Sequence, residues 1–216
     1  MNNNFKKRIV MSLLGVIICA VSVGIFKIAA LGVDPFQSFM AGLDFVVPLD
    51  FGTLYVITNV VLLSFALITD RHYIGVATFI NLFLLGYITE FTYKFLQKVI
   101  INPSIILRFV LLLVAVCIIC FGSAFYITAD LGVSTYDAVA LVLSNKYKIG
   151  KFKYIRIFTD IVCIIIGIAL YLFGGGKIVE IPTFVGVGTI ITAFFMGPLI
   201  ECFNERFARP FLNGKN

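Results

Sequence analysis

GVATFINLFLLGYITE (residues 75–90) and GVGTIITAFFMGPLIE (residues 186–201) are two copies of one segment. Gly75, Val76, Thr78, Ile80, Phe83, Gly86 and Glu90 recur without a gap as Gly186, Val187, Thr189, Ile191, Phe194, Gly197 and Glu201. Two further echoes precede them: AALGVDPFQSFMAGL (29–43) with ADLGVSTYDAVALVL (129–143), and ITNVV (57–61) with FTDIV (158–162). The order is the same in both halves, so the chain divides into repeats 1–103 and 104–216. A duplicated membrane unit with an odd number of crossings per copy has to place its copies in opposite orientations. That arrangement is found chiefly in proteins that move solutes.

Composition sets the solvent. Of the 216 residues, 61% are hydrophobic and only 13% charged, against about half and about a quarter in soluble domains; the mean hydropathy is +1.07. The excess apolar surface has to face lipid. A crossing needs about 20 apolar residues, and six stretches qualify: 9–29, 52–69, 73–93, 104–127, 155–174 and 183–203. The expected fold is therefore all-α and integral to the bilayer, two inverted three-helix repeats forming one membrane domain. The first stretch follows Lys6, Lys7 and Arg8, as a signal peptide would. It is longer than a usual signal core and ends on the repeat, so it is expected to be retained.

The basic residues set the orientation. With the N-terminus inside, twelve of the 17 lysines and arginines fall on the cytoplasmic side: Lys6, Lys7, Arg8, Arg71, Lys146, Lys148, Lys151, Lys153, Arg156, Arg206, Arg209 and Lys215. Five fall outside. The positive-inside rule thus predicts both termini in the cytoplasm. The loop 30–51 has no lysine or arginine but has Asp34, Asp44 and Asp50, whereas its equivalent, 130–154, has four lysines. Opposite charge bias in equivalent loops is what inverted copies require. The net charge of +6 is read as this topology signal and not as a nucleic-acid surface.

Each first span is followed by LGV and a helix-start signal. Gly32 and Gly132 permit a backbone break. Asp34 is a good N-cap, Pro35 fits the first helical position, and Gln37 sits at the third. In the second copy Ser134 is the cap and Asp137 occupies the third position. The apolar runs that follow are about ten residues long, half of what a crossing needs, and read as half-helices. Their N-termini offer unpaired N–H groups and partial positive charge, a place for an anionic group; plain capping of surface helices is the competing reading.

Polar residues inside the spans complete the candidate set. Asn59 and Asp160 are equivalent, about a third of the way into their spans from opposite faces. A carboxylate at a helix centre costs roughly 2.5–3.5 kcal/mol on insertion scales, so Asp160 needs a partner, water or a proton. Arg156, four residues earlier, supplies the partner in one reading; a solute- or proton-binding role is the other. Glu90 and Glu201 close spans three and six. Gly75, Gly86 and Glu90 share one helix face, as do Gly186, Gly197 and Glu201, which predicts close packing of spans three and six at the centre of the bundle. The glutamates then line opposite mouths of a pathway or pair with a lysine such as Lys94. Asn81 and Thr192, equivalent and midway along these spans, are helix-to-helix hydrogen bonds or pathway lining.

Other chemistry is not signalled. Cys117 and Cys120 form a CxxC within an apolar helix lacking His or acidic neighbours, and all five cysteines read as packing residues. No phosphate loop, HExxH, GxSxG or kinase-type sequence is present, so no enzyme, metal or cofactor is expected.

LGVDPFQSFMAGL, its LGVS echo about 100 residues on, and GVGTIITAFFMGPLIE resemble the YczE/YyaS/YitT group of bacterial multi-pass membrane proteins. The resemblance covers nearly the whole chain, with Phe36 where the group carries Trp. It implies a bacterial cell membrane and supplies no substrate. Two functions are weighed: a small transporter or facilitator of a polar or charged solute, and a non-transporting accessory of an enzyme or exporter. A homodimer is compatible with the smooth helices.

Overall fold

The computed structural model describes residues 3–150 and 152–213. The described residues are helical, with no strand among them. The first half comprises α1 (Asn3–Ala29), α2 (Pro35–Val46), α3 (Phe51–Thr69) and α4 (Val76–Val99). The second comprises α5 (Ile105–Ala129), α6 (Thr135–Leu141), α7 (Phe152–Phe173) and α8 (Val187–Phe203), closed by the short α9 (Arg209–Asn213). A wider π-type turn, Val142–Lys146, extends α6. Among the described residues, six segments are long and apolar enough to cross a membrane: Phe5–Ala29, Phe51–Thr69, Val76–Val99, Ile105–Ala129, Tyr154–Phe173 and Ile178–Met196. The last begins earlier than the sequence predicts, because a 3-10 turn at Ile178–Thr183 leads into α8.

Both half-helices form where the caps predict. Asp34 Oδ1 accepts the Gln37 N–H at 3.2 Å, with Pro35 opening the first turn. Ser134 Oγ accepts the Asp137 N–H at 3.1 Å and donates to Asp137 Oδ2 at 2.6 Å. Each cap satisfies an N–H that the helix itself leaves unpaired.

The centre of the bundle is α1 against α5, the most extensive helix pair. This corrects the expectation that spans three and six meet there: α4 packs on α1 and α3, and α8 on α5. The reason lies in small residues the repeat comparison does not reveal. A Cβ at Gly15 would lie 2.7 Å from the Gly122 carbonyl oxygen, and one at Gly122 would lie 2.9 Å from that of Gly15. Ser22 Oγ donates to the Ala115 carbonyl at 2.7 Å across the same crossing. Backbones approach this closely in a bundle only where side chains are small. Gly86 serves a different contact, against Tyr55 and Gly52 of α3; of Gly197 only the backbone position in α8 is described.

The halves then grip each other reciprocally. Half-helix α2 packs on α7 of the other half, and α6 packs on α3. The Gly32 and Val33 N–H groups donate to the carbonyls of Thr183 and Phe184, and the Gly188 N–H donates to Leu31. In the second copy the Val133 N–H donates to Tyr73, and the Ala77 N–H to Leu131. Each LGV turn is thus seated on the start of the third span of the other half. Gly186 and Gly75 cap those spans, and their N–H groups donate to Thr189 Oγ1 and Thr78 Oγ1, each at 3.2 Å. Gly32 has φ +100° and Gly132 φ +110°, with a Cβ at either lying within 2.8 Å of the threonine hydroxyl opposite. Only glycine meets both conditions.

Candidate functional site

The first turns of α2 and α6 bring equivalent aromatic residues together. Phe36 stacks on Tyr136 with centroids 5.0 Å apart and planes 24° apart. Tyr55 meets the Phe36 ring edge-on at 6.0 Å. The Arg156 guanidinium lies 4.3 Å from the Tyr136 ring centroid. Tyr55 and Arg156 stand four residues before Asn59 and Asp160 and are themselves equivalent. The order Tyr55–Phe36–Tyr136–Arg156 is therefore one stack with matching positions on either side of its middle.

Polar groups surround this stack. Arg156 pairs with Asp137 through Nη1 and with Asp160 through Nε at 3.2 Å. The Tyr136 hydroxyl donates to Asp160 Oδ1 at 2.7 Å. The pairing of Asp160 with Arg156 read from the sequence is present, and Asp137 joins it. On the other side Thr135 donates to Asn59 Oδ1, and Asn59 Nδ2 donates to the Tyr55 carbonyl at 2.8 Å. The Tyr55 hydroxyl donates to Asn81 Oδ1 at 3.1 Å. At these two pairs of places the first half supplies the neutral Tyr55 and Asn59, and the second the charged Arg156 and Asp160.

Asp34 is within electrostatic range of Arg156 and Asp160 on α7 and of Tyr55 on α3. Burial pushes its carboxyl up to about 6, outweighing the N–H of Gln37 and the charge of Arg156. Charged groups removed from water take up or release protons in this direction. Of the candidates, Asp34, Gln37, Asn59, Asn81, Ser134, Asp137 and Asp160 gather around the two half-helix starts. Gln37 is 4% exposed, and its Oε1 has no hydrogen-bond partner.

Three candidates stand apart. Glu90 accepts the Gly52 N–H at 3.0 Å, at the start of α3, and pairs with Lys94 at 2.5 Å. Glu201 pairs with Arg209 at 3.0 Å at the far end of α8. Thr192 donates to the Thr189 carbonyl one turn back at 3.0 Å. Lys27 lies 3.2 Å from the Phe51 ring centroid, within electrostatic range of Asp44 and Glu90.

Sequence reasoning missed Tyr55, Thr135 and the Phe36–Tyr136 contact. The signal was available for Tyr55, which lies one turn before Asn59 on the same face, as Arg156 lies before Asp160. Among the described residues no group of three or more His, Cys, Asp or Glu side chains is placed to hold a metal ion. The arrangement brings charge, hydrogen-bond acceptors and aromatic rings together, with the Arg156 and Asp137 side chains partly exposed.

Helices of this length and apolarity define a multi-pass α-helical membrane protein. Residues 6–205 match the model of a family of unknown function (DUF6198), and the chain belongs to that family. No curated protein and no solved structure matches the chain.

Proposed function

We propose that this protein is a small transporter or facilitator of a polar or charged solute, built from two inverted three-span repeats in a bacterial cell membrane with both termini in the cytoplasm. One observation carries the reading: three carboxylates, Asp34, Asp137 and Asp160, gather with Arg156 where the half-helices of the two repeats meet. Ionisable groups within a bundle are expensive and mark solute or ion paths. Half-helices meeting near a repeat interface are how many secondary transporters build their sites. The reciprocal seating of the LGV turns supports a two-fold relation between the repeats, and the basic-residue bias supports their orientation. Resemblance to the YczE/YyaS/YitT group supports the bacterial membrane.

The accessory reading draws on Glu90 and Glu201, which pair with Lys94 and Arg209 away from the cluster. No pathway runs between these glutamates in the present proposal; Asp160 and its neighbours carry it.

The test is uptake. Purified protein in liposomes is screened with pooled radiolabelled small solutes, with and without a proton gradient. Accumulation that is abolished by Asp160→Asn is the expected result. Absence of uptake for every pool, with folded protein in the membrane, favours the accessory role.

A further inference from the structure

The charges in the cluster do not balance. Arg156 is committed to Asp137 and Asp160. Among the described residues no lysine, arginine or histidine lies within ion-pair distance of Asp34. Three carboxylates thus share one guanidinium.

A second, independent observation lies beside it. Gln37, in the same turn as Asp34, is buried with its Oε1 unpaired. Buried polar atoms are rarely left so, and a bound water or ligand is a standard partner. With the amide turned over the atom at that place is a donor instead of an acceptor, and the partner it needs is polar in either setting. The Tyr126 hydroxyl, within electrostatic range of Tyr55 and Cys19, is buried and unpaired as well.

The sign of the occupant follows from its surroundings. The half-helix starts are poor places for an anion, because Asp34 caps one of them and Asp137 stands in the first turn of the other, each bringing a carboxylate. Within electrostatic range of Asp34 are Arg156, Asp160 and Cys163 on α7, Tyr55 on α3 and Cys19 on α1. A carboxylate with no cation at ion-pair distance calls for an occupant that brings positive charge together with N–H groups.

We infer that the cluster binds a small organic cation carrying N–H donors, a protonated amine or an amidinium, with Asp34 as its counter-charge and Gln37 as a second polar contact. The inference rests on the transport reading for its place in the bundle and narrows that reading to one solute class. It also moves the central role from Asp160, which Arg156 neutralises, to Asp34.

The test is equilibrium binding to the full chain in phosphatidylcholine nanodiscs at pH 7.5, with labelled methylammonium and labelled guanidinium as probes. Saturable binding of at least one probe is expected, displaced by the unlabelled cation and untouched by formate, phosphate or urea. Asp34→Asn, which keeps a good N-cap, weakens it at least tenfold, and Asp70→Asn, on a loop, leaves it unchanged. Gln37→Glu tightens it. Displacement by phosphate or formate, equal binding by a folded Asp34→Asn variant, or no saturable binding of either probe overturns the inference. If Asp34→Asn does not fold, Gln37→Glu decides: tighter binding supports the assignment, and unchanged or weaker binding overturns it. Liposome uptake is read separately. Cation binding without uptake leaves the assignment standing and removes transport, whereas uptake of an anion or neutral solute without cation binding does the reverse.

Discussion

Phe36 stacks on Tyr136, its counterpart in the other half of the chain, at 5.0 Å. This contact joins the two half-helices and positions Tyr55 and Arg156 on its outer faces. Truncating Phe36 therefore removes more than one packing partner. Phe36→Ala is expected to lower unfolding free energy by about 3 kcal/mol, the lower end for buried Phe→Ala changes. Phe36→Tyr keeps the stack and costs far less. Steric-trap or denaturant unfolding in bicelles measures both; equal losses would contradict the role of the stack.

Arg156 holds Asp137 and Asp160 at once. Arg156→Gln leaves both carboxylates without a cation and is expected to cost about 2 kcal/mol, between the exposed and fully buried cases. Adding Asp160→Asn to Arg156→Gln recovers part of that loss. A double-mutant cycle reads the coupling, and strict additivity would show that the pair is not formed.

The LGV turns need glycine for two reasons, positive φ and contact with the opposing threonine. Gly175 also has positive φ, +89°, but nothing lies within 4 Å of its Cβ position. Gly175→Ala therefore isolates the backbone cost, about 1 kcal/mol. Gly32→Ala and Gly132→Ala are expected to cost at least twice as much and to lower the yield of monodisperse protein. Similar losses in all three would remove the interlock from the account.

Asp34 gives the stability a pH dependence of known sign. Its carboxyl titrates at about 6 in the folded chain against an ordinary 3.8, so the folded state binds the proton more tightly. Its contribution is fully present below pH 3.8 and is lost as pH rises through about 6. Thermal unfolding in detergent is expected to show a midpoint that falls across this window in the parent chain. Asp34→Asn removes that part of the fall. A slope unaffected by Asp34→Asn would place the proton elsewhere.

Much of this was legible in the sequence. The spans follow from apolar length, the half-helices from Asp34, Pro35 and Ser134, and the equivalence of Asn59 with Asp160 from the echoes around them. The central helix pair was not legible, because Gly15 and Gly122 belong to no repeated motif and their role is a contact between distant segments. The partners of Glu90 were only half visible. Lys94 lies one turn away along the same helix, but the Gly52 N–H comes from another span. Tyr55 was overlooked because an aromatic residue in an apolar span reads as packing until its hydroxyl meets Asn81.

The central claim is that the two halves lie inverted in the bilayer. Leu49 and Ile149 occupy equivalent places after the two half-helices, and both are exposed. In a cysteine-free background, Leu49→Cys and Ile149→Cys are tested in whole cells with a membrane-impermeant maleimide. The account predicts that position 49 labels in intact cells and position 149 only after permeabilisation. Labelling of both from the same side would contradict it.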